Sequence, residues 1–522
     1  MNKQITNASG QAINPKGLAE WFRRRAQRTP EAPALSFGGE TWSYARFQRE
    51  NEKMAAVLSG AGVKPGMRVA YLGFNHPLTL VTMFAASRVG AIFIPMNFRL
   101  AGRETKQCID DADIHTLIVD EHHQHLIEEV RSTINCTNYI STNTSRHEGW
   151  TPLEILRRDA PDSAPRVNNA PEDVAILLFT SGTTGRAKGA MITHENIWLN
   201  NANWFLSSDY RSQDVGLNVA PLFHAGGLNA VVVPMLLAGG HVVLQQSFDP
   251  LKFMQAIEEF KVTVTFMVPA MMLVASQHEA FKTIDLSSLR LIVAGGAPVP
   301  EPVLKVFGER GIPVSHCYGM TEATSAVSFL ETKSALRKLG SCGQPGMLCD
   351  IRIVDADENE LTEPMARGEI RARGGNIIKG YWGLPKESAA VLDSEGWLRS
   401  GDIGYFDEDG YLYICDRLKD MIISGGENIY PAELESVLYE HPAISEVAVI
   451  GAPDEKWGER VVTVAALKPG ETLTLEALQD FCDGRMARYK LPRELHIVAA
   501  LPRNGNGKVM KTELRERYGA PA

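Results

Sequence analysis

The stretch "LLFTSGTTGRAKGAMITHEN", residues 177–196, begins as a buried strand and turns abruptly into hydroxyls, glycines and cations. Leu177, Leu178 and Phe179 are followed by Thr180, Ser181, Gly182, Thr183, Thr184 and Gly185, then Arg186, Lys188 and Gly189. Glycine loses the most backbone entropy on ordering, so three of them within nine residues resist regular structure. Four hydroxyls and two positive charges beside those glycines suit an anion, because bare backbone lets N–H groups converge on it. The loop is not a Walker A sequence: four residues after Gly182 the chain carries Ala187, where that motif requires Gly-Lys-Ser/Thr.

Outward from this loop, strands and helices alternate. "RVAYLG", "AIFIPMN" and "HTLIVD" precede it, with helical patterns between them, and "VGLNVA", "HVVLQQ", "VTVTFMV" and "LRLIVAGG" follow it. That rhythm predicts parallel sheets covered by helices. "ALSFGGETWSY" near the start predicts a hairpin turning at Gly38 and Gly39. From about residue 340 the texture shifts to short strands and turns, a β-rich subdomain. Helices return after Pro431 among the strands "ISEVAVIG", "RVVTVAALK" and "LHIVAAL", which predicts a small separate α/β unit.

Composition narrows the function classes. At 522 residues the chain exceeds what one core usually supports. Its net charge of −9 argues against a nucleic-acid partner held by bulk electrostatics. Seven scattered cysteines without a CxxC pair favour neither a disulfide framework nor structural zinc, and fit a reducing, cytoplasmic setting. The polar start lacks an apolar signal core, and no apolar run is long enough to span a bilayer.

Six further motifs follow the loop in order: "VAPLFHAGG", "AGGAP", "HCYGMTEA", "RSGDIG", "CDRLKDMIISGGENIYPAELE" and "LPRNGNGK". Together with the loop they resemble the acyl-adenylate-forming superfamily, and most of all its bacterial fatty-acyl-CoA synthetases. The resemblance runs from the N-terminal helix to Lys508. Ala187 departs from it, since many members carry proline there.

The resemblance implies an α/β fold with a large N-terminal domain, residues 1–416, and a mobile C-terminal α/β domain, residues 417–522, hinged near Lys419. It implies an ATP-dependent acid:CoA ligase using Mg2+, ATP and CoA. A carboxylic acid forms acyl-AMP and pyrophosphate, and the CoA thiol then takes the acyl group. The acid expected is a medium- to long-chain fatty acid. An aryl or arylpropenoic acid, of 4-coumarate or feruloyl type, and a carrier-protein-loading adenylation enzyme stand as alternatives. Peripheral membrane contact and homodimer formation stay open.

Residue by residue, the resemblance gives Lys508 the catalytic role on the α-phosphate, and lets His224 line or gate the carboxylate pocket. Thr184 and Glu322 become metal ligands, a role that suits a carboxylate because hard cations choose oxygen. Thr180, Ser181, Gly182, Thr183, Gly185 and Lys188 cradle phosphates, with Thr321 and Gly319 beside them. Gly295, Gly296, Ala297, His316 and Cys317 line the adenine, on which Tyr318 stacks. Asp402 and Arg417 hold the ribose, Lys419 is the hinge, and Gly425 and Gly426 line the CoA tunnel. Gly226 and Gly227, following His224, are expected to leave room for the acyl group. Taken singly, each of these residues reads as ordinary core, turn or surface; their order along one chain is what carries the assignment.

Overall fold

A computed structural model describes residues 17–520 apart from 144–147, 162, 181–185, 298 and 504–507. The alternating pattern builds two large sheets. In the seven-stranded sheet, Thr151–Pro152, Asn138–Ser141, Thr116–Val119, Arg68–Leu72, Ile92–Met96 and Val174–Thr180 lie side by side in parallel. Lys188–Thr193 then closes the edge antiparallel to Val174–Thr180, with Thr180 paired to Lys188. The nine-stranded sheet has a parallel centre, Val314–Tyr318 through Leu291–Ala294, Val264–Met267 and Val215–Asn218 to His241–Leu244. The predicted N-terminal hairpin, Pro33–Phe37 and Glu40–Ser43, extends one edge of it. Gly38 and Gly39 turn that hairpin with φ of 58° and 83°, values the favoured two-residue hairpin turn demands.

Both faces of these sheets are covered, which explains the unbroken apolar strands. Ile176 and Leu178 enter one hydrophobic cluster while Leu177 enters another. The first cluster draws Phe93 and Ile192 from the seven-stranded sheet and Leu35, Val242 and Val293 from the nine-stranded one. Between them sit fully buried Leu18, Phe22, Phe47 and Phe84 from helices Leu18–Arg28, Tyr44–Gly60 and Pro77–Arg88. These helices form the shared middle layer. The helix after the opening loop, His194–Ser208, starts on a capping box: the Thr193 hydroxyl accepts from the Asn196 amide, and the Asn196 side chain returns the bond.

Cys349–Val354, Gly368–Gly374, Leu398–Phe406 and Leu412–Arg417 form an antiparallel four-stranded sheet, the β-rich subdomain expected from the sequence. Beyond Arg417, a five-stranded sheet is built around the long pair Ile444–Asp454 and Gly458–Leu467, with Glu494–Val498 parallel to the latter. It has its own core of Ile422, Leu434, Val449, Val461 and Leu478. No helix among the described residues is long and apolar enough to cross a membrane.

Candidate active site

The sequence motifs converge where the four-stranded sheet meets the C-terminal end of the nine-stranded one. Asp402 and Arg417 are direct cross-strand partners, so the ladder itself sets them side by side. The Arg417 Nε lies 2.7 Å from Asp402 Oδ1; the guanidinium keeps 45% of its side chain in solvent while the carboxylate keeps 6%. From the neighbouring sheet, the buried Tyr318 donates its hydroxyl to the other carboxylate oxygen at 2.6 Å. Burial pushes the Asp402 carboxyl above its ordinary range, while Arg417, the Tyr318 hydrogen bond and Lys508 pull it back.

Lys508 belongs to the far end of the chain, yet its charge is felt by Asp402, and it in turn feels Arg417, Asp402 and Glu322. Part of the residue reaches solvent, but protein crowds the ammonium. That crowding and the Arg417 guanidinium hold its pKa below the ordinary lysine value, against the pull of Asp402 and Glu322. The expected cation therefore stands at the same site as the expected ribose and metal residues.

Glu322 sits in the one-turn 3-10 helix Thr321–Ala323, immediately after the strand ending at Tyr318. Gly319 is required there: a Cβ would fall 1.9 Å from the Ser325 carbonyl oxygen, an impossible contact. Next comes Thr324, buried, with φ of 63°. A β-branched residue with this backbone is strained and persists only when its surroundings over-determine it. They do. The Thr324 hydroxyl donates to the Asn376 carbonyl at 2.6 Å, and the Asn229 side chain donates to the Thr324 carbonyl at 3.2 Å.

His316, buried at the middle of the strand Val314–Tyr318, has its pKa pushed down to about 4 by burial, so it is a neutral imidazole at physiological pH. A Cβ on Gly295 would meet Cys317 Sγ at 2.9 Å, which places those two in contact, and Gly296 and Ala297 are exposed beyond them. Lys188 places its ammonium 5.2 Å from the centre of the Tyr381 ring. Thr180 ends the strand before the loop, whereas Ser181, Gly182, Thr183, Thr184 and Gly185 lie outside the described residues. Lys419 is exposed in the turn joining the two smaller sheets. Gly425 and Gly426 follow with φ of 62° and 85°, Gly425 packed against the Trp457 ring.

One expectation is corrected. Gly226 and Gly227 open a π-helix, Gly226–Val232, not an empty turn. A Cβ on Gly227 would lie 2.3 Å from the Pro221 carbonyl oxygen, so this glycine serves close backbone packing and leaves no room for substrate. A Cβ on Gly226 would meet the Phe266 ring at 2.7 Å. That ring also stands 3.4 Å from the Cβ position of Gly295, so Phe266 is wedged between the two glycines. His224 precedes the π-helix, its ring 4.5 Å from that of Phe223. Sequence reading missed Phe266, Asn376 and Tyr381. Asn376 and Tyr381, within "RGGNIIKGYW", lie in a stretch with glycine and charge to draw attention, whereas Phe266 does not.

The family model of the AMP-binding enzymes matches residues 22–382, and that of the AMP-binding enzyme C-terminal domain matches residues 433–508. The chain belongs to the AMP-binding enzyme family. It is an ATP-dependent acid:CoA ligase of the AMP-forming type. It is 40% identical to a feruloyl-CoA synthase from Amycolatopsis sp over 504 residues, covering 97% of this chain and 99% of the relative. It is 39% identical to an indoleacetate–CoA ligase from Aromatoleum aromaticum, with 96% and 98% covered. A long-chain-fatty-acid–CoA ligase from Mycobacterium tuberculosis is 36% identical, with 97% and 99% covered. The o-succinylbenzoate–CoA synthetase of Bacillus subtilis, solved with its acyl-adenylate, superposes with a TM-score of 0.86 at 33% identity, over 95% of this chain and 97% of that one. A structure of the same enzyme with ATP and magnesium gives a TM-score of 0.84 at 32% identity, over 95% and 99%.

Proposed function

We propose that the acid is a compact aryl-substituted one, of the arylpropenoic or arylacetic type, and that Lys508, Glu322, Asp402 and Arg417 carry the ATP half-reaction. Phe266 supports the choice of acid. Its ring fills the space between Gly226 and Gly295, beside the segment that bears His224. A flat ring packs against such a wall, and aromatic pairs gain about 0.5–1.5 kcal/mol beyond area burial. The relatives at 40% and 39% identity, whose names carry aryl acids, favour the same reading. The fatty-acid reading expected from the sequence keeps the support of the 36% relative.

In the first half-reaction the acid carboxylate attacks the α-phosphorus of ATP and pyrophosphate leaves. The nucleophile is already an anion, so charge and alignment are the obstacles, and preorganised cations are the remedy. Lys508 screens the approaching carboxylate from the phosphate. Asp402, with its oxygens held by Tyr318 and Arg417, accepts from the ribose hydroxyls. In the second half the CoA thiol attacks the acyl carbon and AMP departs, for which Lys508 must withdraw. The hinge at Lys419, between residues 1–416 and 417–522, gives it that freedom.

Among the described residues no three His, Cys, Asp or Glu side chains gather into a metal cage. Magnesium keeps several waters and takes one or two carboxylates along with substrate phosphates. Glu322 supplies such a carboxylate. When bound, the ion neutralises phosphate charge.

Pyrophosphate release with and without CoA, across ferulate, indoleacetate, octanoate and palmitate, tests the choice of acid. Aryl acids should lead in kcat/KM, and Phe266→Ala should raise palmitate relative to ferulate. Palmitate leading in the wild type, unmoved by Phe266→Ala, would overturn the aryl reading.

A further inference from the structure

The segment from Gly375 to Trp382 runs as a strap between the two parts of the site that handle phosphate. On one side its backbone pairs with the strand leaving the opening loop: Lys379 N donates to Met191 O, Met191 N to Gly380 O and Trp382 N to Gly189 O, at 2.8–3.1 Å. On the other side it grips the Glu322 turn. Ile378 N donates to Glu322 O at 2.9 Å, and the Asn376 side chain donates to both Ala323 O and Ala326 O at 3.0 Å. At its end, the Tyr381 hydroxyl donates to Glu322 Oε1 at 2.6 Å, while the ring turns its face to the Lys188 ammonium 5.2 Å away. Tyr381 is 6% exposed, and its amide is held in turn by the Ser388 hydroxyl at 2.8 Å.

One side chain thus touches a carboxylate and a cation that form no ion pair with each other among the described residues. Two opposite charges in one cleft would otherwise neutralise each other and compete with substrate for both. We propose that Tyr381 is a positioning residue for the ATP half-reaction: its hydroxyl fixes the plane of the Glu322 carboxylate, and its ring holds Lys188 apart from it. The proposal rests on Glu322 serving the metal–phosphate group.

Three variants separate the possibilities: Tyr381→Phe, which removes only the hydroxyl; Tyr381→Leu, which also removes the ring; and Glu322→Gln. Calorimetric binding of ATP with magnesium, and of ATP with EDTA, is read for each beside its melting temperature and the KM and kcat of pyrophosphate release. Removing a partner that orients a metal-bound ligand typically costs about 10- to 100-fold in metal affinity. Tyr381→Phe should therefore weaken ATP binding with magnesium roughly tenfold, leave metal-free binding and melting near wild type, and raise KM more than it lowers kcat. Tyr381→Leu should also weaken metal-free ATP, because Lys188 is then released to pair with Glu322. Wild-type magnesium–ATP binding by Tyr381→Phe, with Glu322→Gln impaired, overturns the proposal. So does an equal loss with and without metal accompanied by a lower melting temperature, which marks a role in packing alone. A silent Glu322→Gln removes the metal reading of Glu322 itself, and the proposal with it.

Discussion

Asp402 and Lys508 meet at one site but are held by opposite means. Asp402 is itself buried and is fixed by a strand ladder, a half-exposed cross-strand arginine and a buried tyrosine from the adjoining sheet. Lys508 arrives from the far end of the chain, and the region that bears it meets the four-stranded sheet through polar contacts and a small apolar cluster of Ile403, Cys415 and Tyr430. The Asp416 carboxylate accepts from Ala432 N at 2.7 Å, capping helix Pro431–Leu438. Arg367 pairs with Glu433 at 2.6 Å, and its guanidinium lies 4.9 Å from the Tyr430 ring centre. In the proposed mechanism the fixed half serves precision and the delivered half release. In the proposed two-step reaction one cation must be present for the first step and absent for the second, so it cannot be anchored as Asp402 is.

The sharpest way to break this contrast is at Lys508. Lys508→Ala should lower acyl-AMP formation by about 100- to 1000-fold, the loss typical of deleting one transition-state donor. Thioester formation from supplied acyl-AMP should stay near wild type. Equal losses in both assays would mean that Lys508 is not specific to the first step.

Asp402→Ala tests the fixed half. It leaves the buried Tyr318 hydroxyl without its acceptor, which costs about 1–3 kcal/mol, whereas the half-exposed Arg417 stays solvated. A lower melting temperature is expected, together with a higher KM for ATP in the first half-reaction and for supplied acyl-AMP in the second. A melting temperature at the wild-type value would show that the ribose pair is no part of the scaffold.

A smaller effect should come from pH. Because the Lys508 pKa is lowered in the folded protein, the ammonium loses its proton below the ordinary 10.5 as pH rises. The alkaline limb of acyl-AMP formation should accordingly fall below that value, and the thioester half should lack it. The linkage sign is the reverse of a stabilising ion pair. The folded state holds this proton less tightly than the unfolded chain, so charging Lys508 costs stability, and the cost fades as pH rises through the lowered pKa toward 10.5. Coincident limbs in both half-reactions would assign the limb to another group.

The weakest perturbation is at the junction. The Arg367 and Glu433 side chains are 35% and 28% exposed, so their pair is worth at most about 1 kcal/mol. Glu433→Gln should slow acyl-AMP formation by no more than about fivefold, with thioester formation equal or faster. A large loss in both halves would place Glu433 in the fold rather than in the latch.

Much of this was legible in the sequence because two periodicities and a set of turn residues carried it. The unbroken strand of Ile176, Leu177 and Leu178 announced a sheet covered on both faces, and Gly38-Gly39 announced a hairpin. Asp402, Arg417, Glu322 and Lys508 could be singled out only through the resemblance, because their motifs follow one another in order along the chain. The contacts that orient them could not. Tyr381 reaches Glu322 across 59 residues of chain, and Phe266 looks like any other apolar strand residue until its neighbours are placed. Gly227 misled for a related reason: a missing side chain signals space or close packing equally, and only the Pro221 carbonyl decides between them.

The π-helix Gly226–Val232 bears on how such a pocket can be altered. A π-turn closes hydrogen bonds one residue wider than an α-turn, so it stores a single insertion within an otherwise regular helix. Deleting one residue there would restore α-helical pairing into the following helix, Val233–Ala238. At 3.6 residues per turn, it would rotate His224 by about 100° against that helix. A one-residue length change is therefore a discrete dial on the direction His224 faces, separate from any exchange of side chains.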